Sequence, residues 1–175
     1  MRKGGVGPGR VAMAWVVVIA VCVGIRCLQL GSGLPSVNRF SWDTDEGTPI
    51  NCALIMGTGQ WHPGTFGGAH LYMYLLTVVY GVAFVAGRLT GAVKGAVDFA
   101  LSYWTDPTLF YLLGRGLSMV AGVATVALTY RMAKRHYGEA AGRMAGWLML
   151  ALPVHVAMSQ HSESDALAAL LTTLS

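Results

Sequence analysis

The chain has 175 residues and a net charge of +4, yet only 11% of its residues are charged while 54% are hydrophobic. Soluble domains are about 25% charged, so this composition excludes an ordinary soluble enzyme and indicates an integral membrane protein. The basic residues cluster at the ends of apolar segments, as they do at cytoplasmic membrane boundaries, which argues against nucleic-acid binding. The three cysteines show no CxxC or CxxH spacing, so neither a disulfide framework nor a zinc site is indicated.

The N-terminal segment is a basic arm followed by an apolar span. Residues 1–10 are rich in glycine, but no strand precedes them, so they are not a dinucleotide-binding fingerprint. Residues 11–30 are apolar and long enough to cross a bilayer, and Arg26 is expected to extend to the far interface. A cleaved signal peptide is the alternative. Because no small-residue cleavage site follows the apolar run, we expect a retained anchor with its N-terminus in the cytoplasm.

A polar loop rich in glycine and proline follows at residues 31–69 and contains the acidic pair Asp45-Glu46. Residues 46–56 are expected to form a short helix, with Asp45 as its N-cap and Pro49 in its first turn. The first N–H groups of such a helix would face the Asp45 carboxylate and stabilise its charged form.

Charge counting predicts the topology. The N-terminus and the strongest basic cluster, residues 131–143, are both expected in the cytoplasm, so an even number of crossings separates them. The candidate segments are 11–30, 70–93 and 109–130, of which 70–93 is interrupted by three glycines and Arg88. We therefore expect residues 70–93 to lie in the outer interface or to re-enter from it.

The predicted fold is all-α and polytopic, with an external loop that carries short interfacial helices. Residues 144–159 form a further span, which places Glu163 and Asp165 on the same non-cytoplasmic face as Asp45 and Glu46. The segment 166–175 begins an apolar helix but covers only about half the length of a span. We expect one domain over residues 1–175 that continues beyond Ser175 in the natural protein.

Three stretches carry a resemblance to a known superfamily. The first is Asp45-Glu46 after the first span, and the second is the aromatic, proline-containing segment 61–76. The third is 114–165, which comprises a span, a basic turn and a further span that ends near Asp165. In this order and spacing they resemble the GT-C membrane glycosyltransferases, and within them the dolichyl-phosphate-mannose protein mannosyltransferase family and its bacterial relatives.

The resemblance implies transfer of a sugar from a polyprenyl-phosphate donor to a hydroxyl outside the cytoplasm, in the plasma membrane. The implied partners are that donor, a protein or lipid-linked acceptor, and the surrounding membrane lipids. Asp45 matches the general base, while Glu46 orients the acceptor or helps to bind a divalent cation. Asp165 matches an aspartate at the end of the family's third span. Simple helix capping is the alternative role for Asp45 and Asp165.

The donor phosphate requires positive charge, for which Arg115 is the best-placed candidate. The alternative for Arg115 is an arginine that reaches the membrane interface. The other cationic candidates on the outer face are Arg39, Arg88 and Lys94. The candidate acceptor or metal ligands are His62, His70 and His161, although their spacing forms no recognised ligand set. The aromatic side chains that would stack on a sugar, line a lipid groove or form an aromatic belt are Trp61, Phe66, Tyr72 and Tyr74.

Two other functions remain open at this point. A transporter subunit would use intramembrane carboxylates to relay protons or bind cations, and would place them in the middle of its spans. Here the carboxylates fall at span ends and in a loop, which favours the enzyme. The second alternative is an inactive fragment that only assembles with partners.

Overall fold

The computed structural model describes residues 8–34, 45–64 and 69–175, and within these ranges the chain is helical with no strand. This confirms the predicted all-α class. The helices are α1 (Pro8–Leu30), α2 (Gly47–Gly57), α3 (His70–Leu89), α4 (Ala96–Thr105), α5 (Thr108–Tyr137), α6 (Glu139–Ala151), α7 (Pro153–Met158) and α8 (Asp165–Leu174).

Two helices of the described ranges are long and apolar enough to cross a membrane. They are α3, with 20 residues, and α5, with 30 residues. Gly81 and Gly87 lie within α3 without breaking it; Gly81 faces open space, whereas Gly87 lies against the chain where it folds back after the helix. A Cβ atom at Gly87 would lie 2.8 Å from a methyl group of Val93.

The short helix predicted over residues 46–56 is present as α2, which begins at Gly47 and includes Pro49 in its first turn. Its N-cap is Glu46 and not Asp45, and Glu46 makes no side-chain capping bond. The reason is that the Glu46 carboxylate is directed into the protein interior. Asp45 instead offers its backbone carbonyl, which accepts a bond from the Thr48 N–H at 3.3 Å.

The third predicted span, residues 144–159, is divided into α6 and α7. Leu152 separates the two helices with φ −67° and ψ 110°, and Pro153 begins α7. Proline disfavours helical geometry in the residue before it and is well tolerated at the first helical position, which explains the break.

Helix α5 is the centre of the structure, and α1 runs antiparallel to it. Cys27 of α1 lies beside Met119, and three residues later the Leu30 carbonyl accepts a hydrogen bond from Arg115. Helix α6 returns antiparallel on another side of α5, after a turn at Gly138 whose φ of 89° suits glycine. The end of α1, the first half of α5 and the residues after α7 therefore meet at one end of the bundle.

An aromatic cluster packs α2, α3 and α4 around the start of α5. Phe110 is its centre, with ring centroids 5.3 Å from Tyr80 and 5.1 Å from Phe99. Ile50 of α2 and Leu76 of α3 are fully buried in the same cluster. These contacts attach α2, α3 and α4 to the first turns of α5.

Candidate functional site

A buried ion pair joins Glu46 to Arg115. The Arg115 Nε donates to Glu46 Oε1 at 2.9 Å and its Nη2 donates to Oε2 at 2.7 Å. The side chains are 0% and 3% exposed, respectively. This two-bond geometry is the strongest form of arginine–carboxylate contact, and such a pair tolerates burial only because each charge compensates the other.

The ion pair also binds two other parts of the chain. Arg115 Nη1 donates to the carbonyls of Leu30 at 2.8 Å and Ser32 at 2.7 Å, just at and after the end of α1. On the opposite side, the Ser162 N–H donates to Glu46 Oε1 at 2.7 Å. The pair therefore fixes the acidic loop before α2 and the acidic loop before α8 relative to each other.

Tyr72 forms a second link between these elements. Its hydroxyl lies 3.0 Å from the Gly114 carbonyl, 3.1 Å from Ser118 Oγ and 3.2 Å from Ser162 Oγ. Ser118 also donates to the Glu163 carbonyl at 3.0 Å. A Cβ atom at Gly114 would lie only 2.0 Å from Ser162 Oγ, so this contact requires glycine.

These contacts place three carboxylates around one pocket of about 440 Å³. Asp45, Glu163 and Asp165 line it, and none of the lining residues is basic. The remaining lining residues are Thr48, Pro49, Ala69, Tyr72, Met73 and Ser164. Three of the four carboxylates for which charge counting predicts a shared membrane face therefore line one pocket, and the fourth, Glu46, is buried nearby.

The predicted site residues have different surroundings. Asp45 is exposed at the pocket, and Asp165 is the first residue of α8, one position after the N-cap Ser164. Tyr72 lies in the pocket wall, but its hydroxyl is engaged in the interior. His62 does not line the pocket, and its Nδ1 accepts a bond from the Gly64 N–H at 3.0 Å.

The structure does not favour the predicted phosphate-binding role of Arg115. Its Nε, Nη1 and Nη2 atoms all donate to Glu46, Leu30 or Ser32, and the side chain is buried. The Arg88 Nη1 atom is directed to the carbonyls of Val93 and Lys94. Arg39 and Phe66, two further candidates, lie outside the described residues.

The predicted divalent cation has no candidate site in the described part of the chain. Within residues 8–34, 45–64 and 69–175, no group of three or more His, Cys, Asp or Glu side chains is arranged to hold a metal ion. The three pocket carboxylates share a cavity without forming such a group.

A buried polar cluster around Arg26 was missed from the sequence. The expectation was that Arg26 reaches the interface, but its side chain is fully buried. Its Nε donates to Ser159 Oγ at 2.8 Å, and its Nη2 lies 2.9 Å from His155 Nδ1. Arginines in apolar spans usually face other polar groups of the protein, and the polar residues near the end of a later span were the available signal.

Comparison with protein-family models, with curated proteins and with solved structures found no match.

Proposed function

We propose that this chain carries the acceptor side of a membrane glycosyltransferase site, in which a sugar passes from a polyprenyl-phosphate donor to an acceptor hydroxyl. One observation carries the proposal: Asp45 lies exposed in a pocket with Glu163 and Asp165, directly beside the buried anchor Glu46. The pocket is open to solvent and large enough for a hydroxyl-bearing group of an acceptor. The GT-C resemblance of the sequence supports the reaction class.

The proposed chemistry assigns the general base to Asp45. As the acceptor oxygen attacks the anomeric carbon, the Asp45 carboxylate takes the hydroxyl proton, and the bond from that carbon to the phosphate oxygen breaks. The polyprenyl phosphate leaves with the electron pair. Arg115 is paired with Glu46, so the leaving phosphate must be stabilised by a different cationic group.

The proposed topology is multi-pass in the plasma membrane, with a cytoplasmic N-terminus. The antiparallel arrangement of α1, α5 and α6 supports it, because residues 131–143 and the carboxylate pocket are then at opposite ends of α5. Helix α3 is assigned to the outer side, from which it re-enters along α5. It runs antiparallel to the first half of α5, from Tyr72 beside Ser118 to Tyr80 at the Phe110 carbonyl, and its last two turns extend past the beginning of α5.

The decisive experiment is Asp45→Asn in the membrane-embedded natural protein, with transfer measured from a radiolabelled polyprenyl-phosphate sugar. Loss of the base is expected to slow transfer by about 10²–10⁴-fold. Asp98→Asn is the matched control, since Asp98 is exposed and does not line the pocket. Glu163→Gln is expected to have a much smaller effect than Asp45→Asn. Near-normal transfer by the Asp45→Asn protein would refute the assignment of the base.

A further inference from the structure

The C-terminal half of α5 presents a mixed basic and apolar stripe at the end of the bundle opposite the carboxylates. Leu128, Arg131, Met132 and Arg135 are spaced by three and four residues, so they lie on one face of the helix. They line an open depression of about 670 Å³, together with Tyr130 and Lys134.

Two guanidinium groups of this stripe have no acidic partner among the described residues. Arg131 and Arg135 are exposed and belong to no ion pair there. The neighbouring cations are different, because Glu139 holds Lys134 Nζ at 2.8 Å and lies 3.9 Å from Arg143 Nε. Uncompensated positive charge is therefore concentrated on the face that carries Arg131 and Arg135.

The apolar residues of the stripe favour a lipid over a soluble anion as its ligand. Met132 is 41% exposed and Leu128 is half-buried, and both adjoin the arginines on the same helix face. Because α5 is long and apolar enough to cross a membrane, its basic end is suited to the level at which acyl chains give way to headgroups. A soluble anion would gain nothing from the exposed methionine, whereas a lipid would cover it.

We propose that this stripe binds an anionic phospholipid, with the phosphate held by Arg131 and Arg135 and an acyl chain lying along Leu128 and Met132. The residues involved are separate from the carboxylate pocket. The proposal therefore holds or fails independently of the transfer reaction.

Binding would be measured with the purified chain in a neutral detergent, by fluorescence anisotropy of acyl-labelled phosphatidylglycerol. The unmodified protein is expected to bind this lipid at least tenfold more tightly than phosphatidylcholine. Since one basic residue near an anionic headgroup changes affinity by about fivefold, Arg131→Gln and Arg135→Gln should each weaken binding by about that factor. Arg143→Gln is the matched control, and a change below about twofold is expected because Arg143 lies beside Glu139.

Further variants and a soluble competitor complete the test. The charge-conserving change of Arg131 and Arg135 to lysine should retain the preference for phosphatidylglycerol, and circular dichroism should show unchanged helix content in every variant. An equal effect of Arg143→Gln and Arg131→Gln would overturn the proposal in favour of diffuse charge attraction. Competition by water-soluble glycerophosphoglycerol as strong as that by the intact lipid would overturn it in favour of a soluble phosphate compound.

Discussion

Glu46 and Arg115 are 69 positions apart in the sequence and meet in a buried two-bond ion pair. Neither residue is a free functional group. They connect the end of α1, the start of α2, the first half of α5 and the loop before α8. The two adjacent acidic residues therefore have different positions: the Glu46 carboxylate lies in the interior and the Asp45 carboxylate lies at the pocket.

The first prediction concerns the energetic coupling of this ion pair. Glu46→Gln leaves the Arg115 charge buried without compensation, which is expected to destabilise the protein by about 3–5 kcal/mol. Arg115→Met should destabilise it similarly, while the double variant should lose much less than the sum because no isolated charge remains. Unfolding in mixed micelles measures all three. Additive effects would show that the pair is not coupled, and Glu139→Gln, which removes an exposed ion pair, serves as the mild control.

The second prediction uses two glycines of α5. Gly114→Ala should destabilise the protein by about 1–3 kcal/mol, because the added methyl group would overlap Ser162, whose Oγ and Cβ lie 2.0 and 2.8 Å away. Gly116→Ala places its methyl group in open space and should stabilise the helix by up to about 1 kcal/mol. Thermal unfolding of the two variants should therefore shift in opposite directions.

If the contact between Gly114 and Ser162 causes the loss of stability, a second substitution at Ser162 should restore part of it. Ser162→Gly removes both overlapping atoms, so adding it to Gly114→Ala should recover part of the lost stability. No recovery in the double variant would show that the contact between α5 and the loop before α8 does not limit the packing.

The third prediction concerns the Tyr72 hydroxyl. Tyr72→Phe leaves buried polar groups of Gly114 and Ser162 without this partner, which should cost about 1–3 kcal/mol of stability. It should also lower transfer activity, because Ser162 adjoins the pocket residue Glu163. Tyr74→Phe removes an exposed hydroxyl that donates to the Trp61 carbonyl and should change neither property appreciably. Equal effects of the two variants would contradict a specific role for Tyr72.

The fourth prediction tests the topology with single cysteines at two exposed positions, Thr48 and Ala140. In a background without the native cysteines, a membrane-impermeant maleimide should label position 48 from outside and position 140 only after the membrane is opened. The native Cys52 would itself be labelled only weakly, because burial raises the pKa of its thiol and lowers its reactivity. Labelling of both positions from the same side would refute both the topology and the shared outer site.

The sequence predicted the helical class and the short helix α2, because these depend on composition and local signals. Charge counting predicted only a shared face for Asp45, Glu163 and Asp165, and the structure shows that all three line one pocket. It did not predict which charges are neutralised inside. From the sequence alone, Arg115 and Arg26 both resemble arginines that extend to the membrane interface, because each lies near the end of an apolar segment. Their partners, Glu46 for one and His155 with Ser159 for the other, are more than 60 positions away and become visible only after the helices pack.

The position of the exposed carboxylate follows from its buried neighbour. Consecutive Cα atoms are about 3.8 Å apart, so fixing Glu46 leaves Asp45 only a short tether on which to move. The Asp45 side chain is thus exposed at the pocket while its backbone stays next to a buried residue. The order of the two acids matters for the same reason: a chain with Glu at 45 and Asp at 46 would keep its charge and composition, but its shorter inner side chain would reach less far toward Arg115.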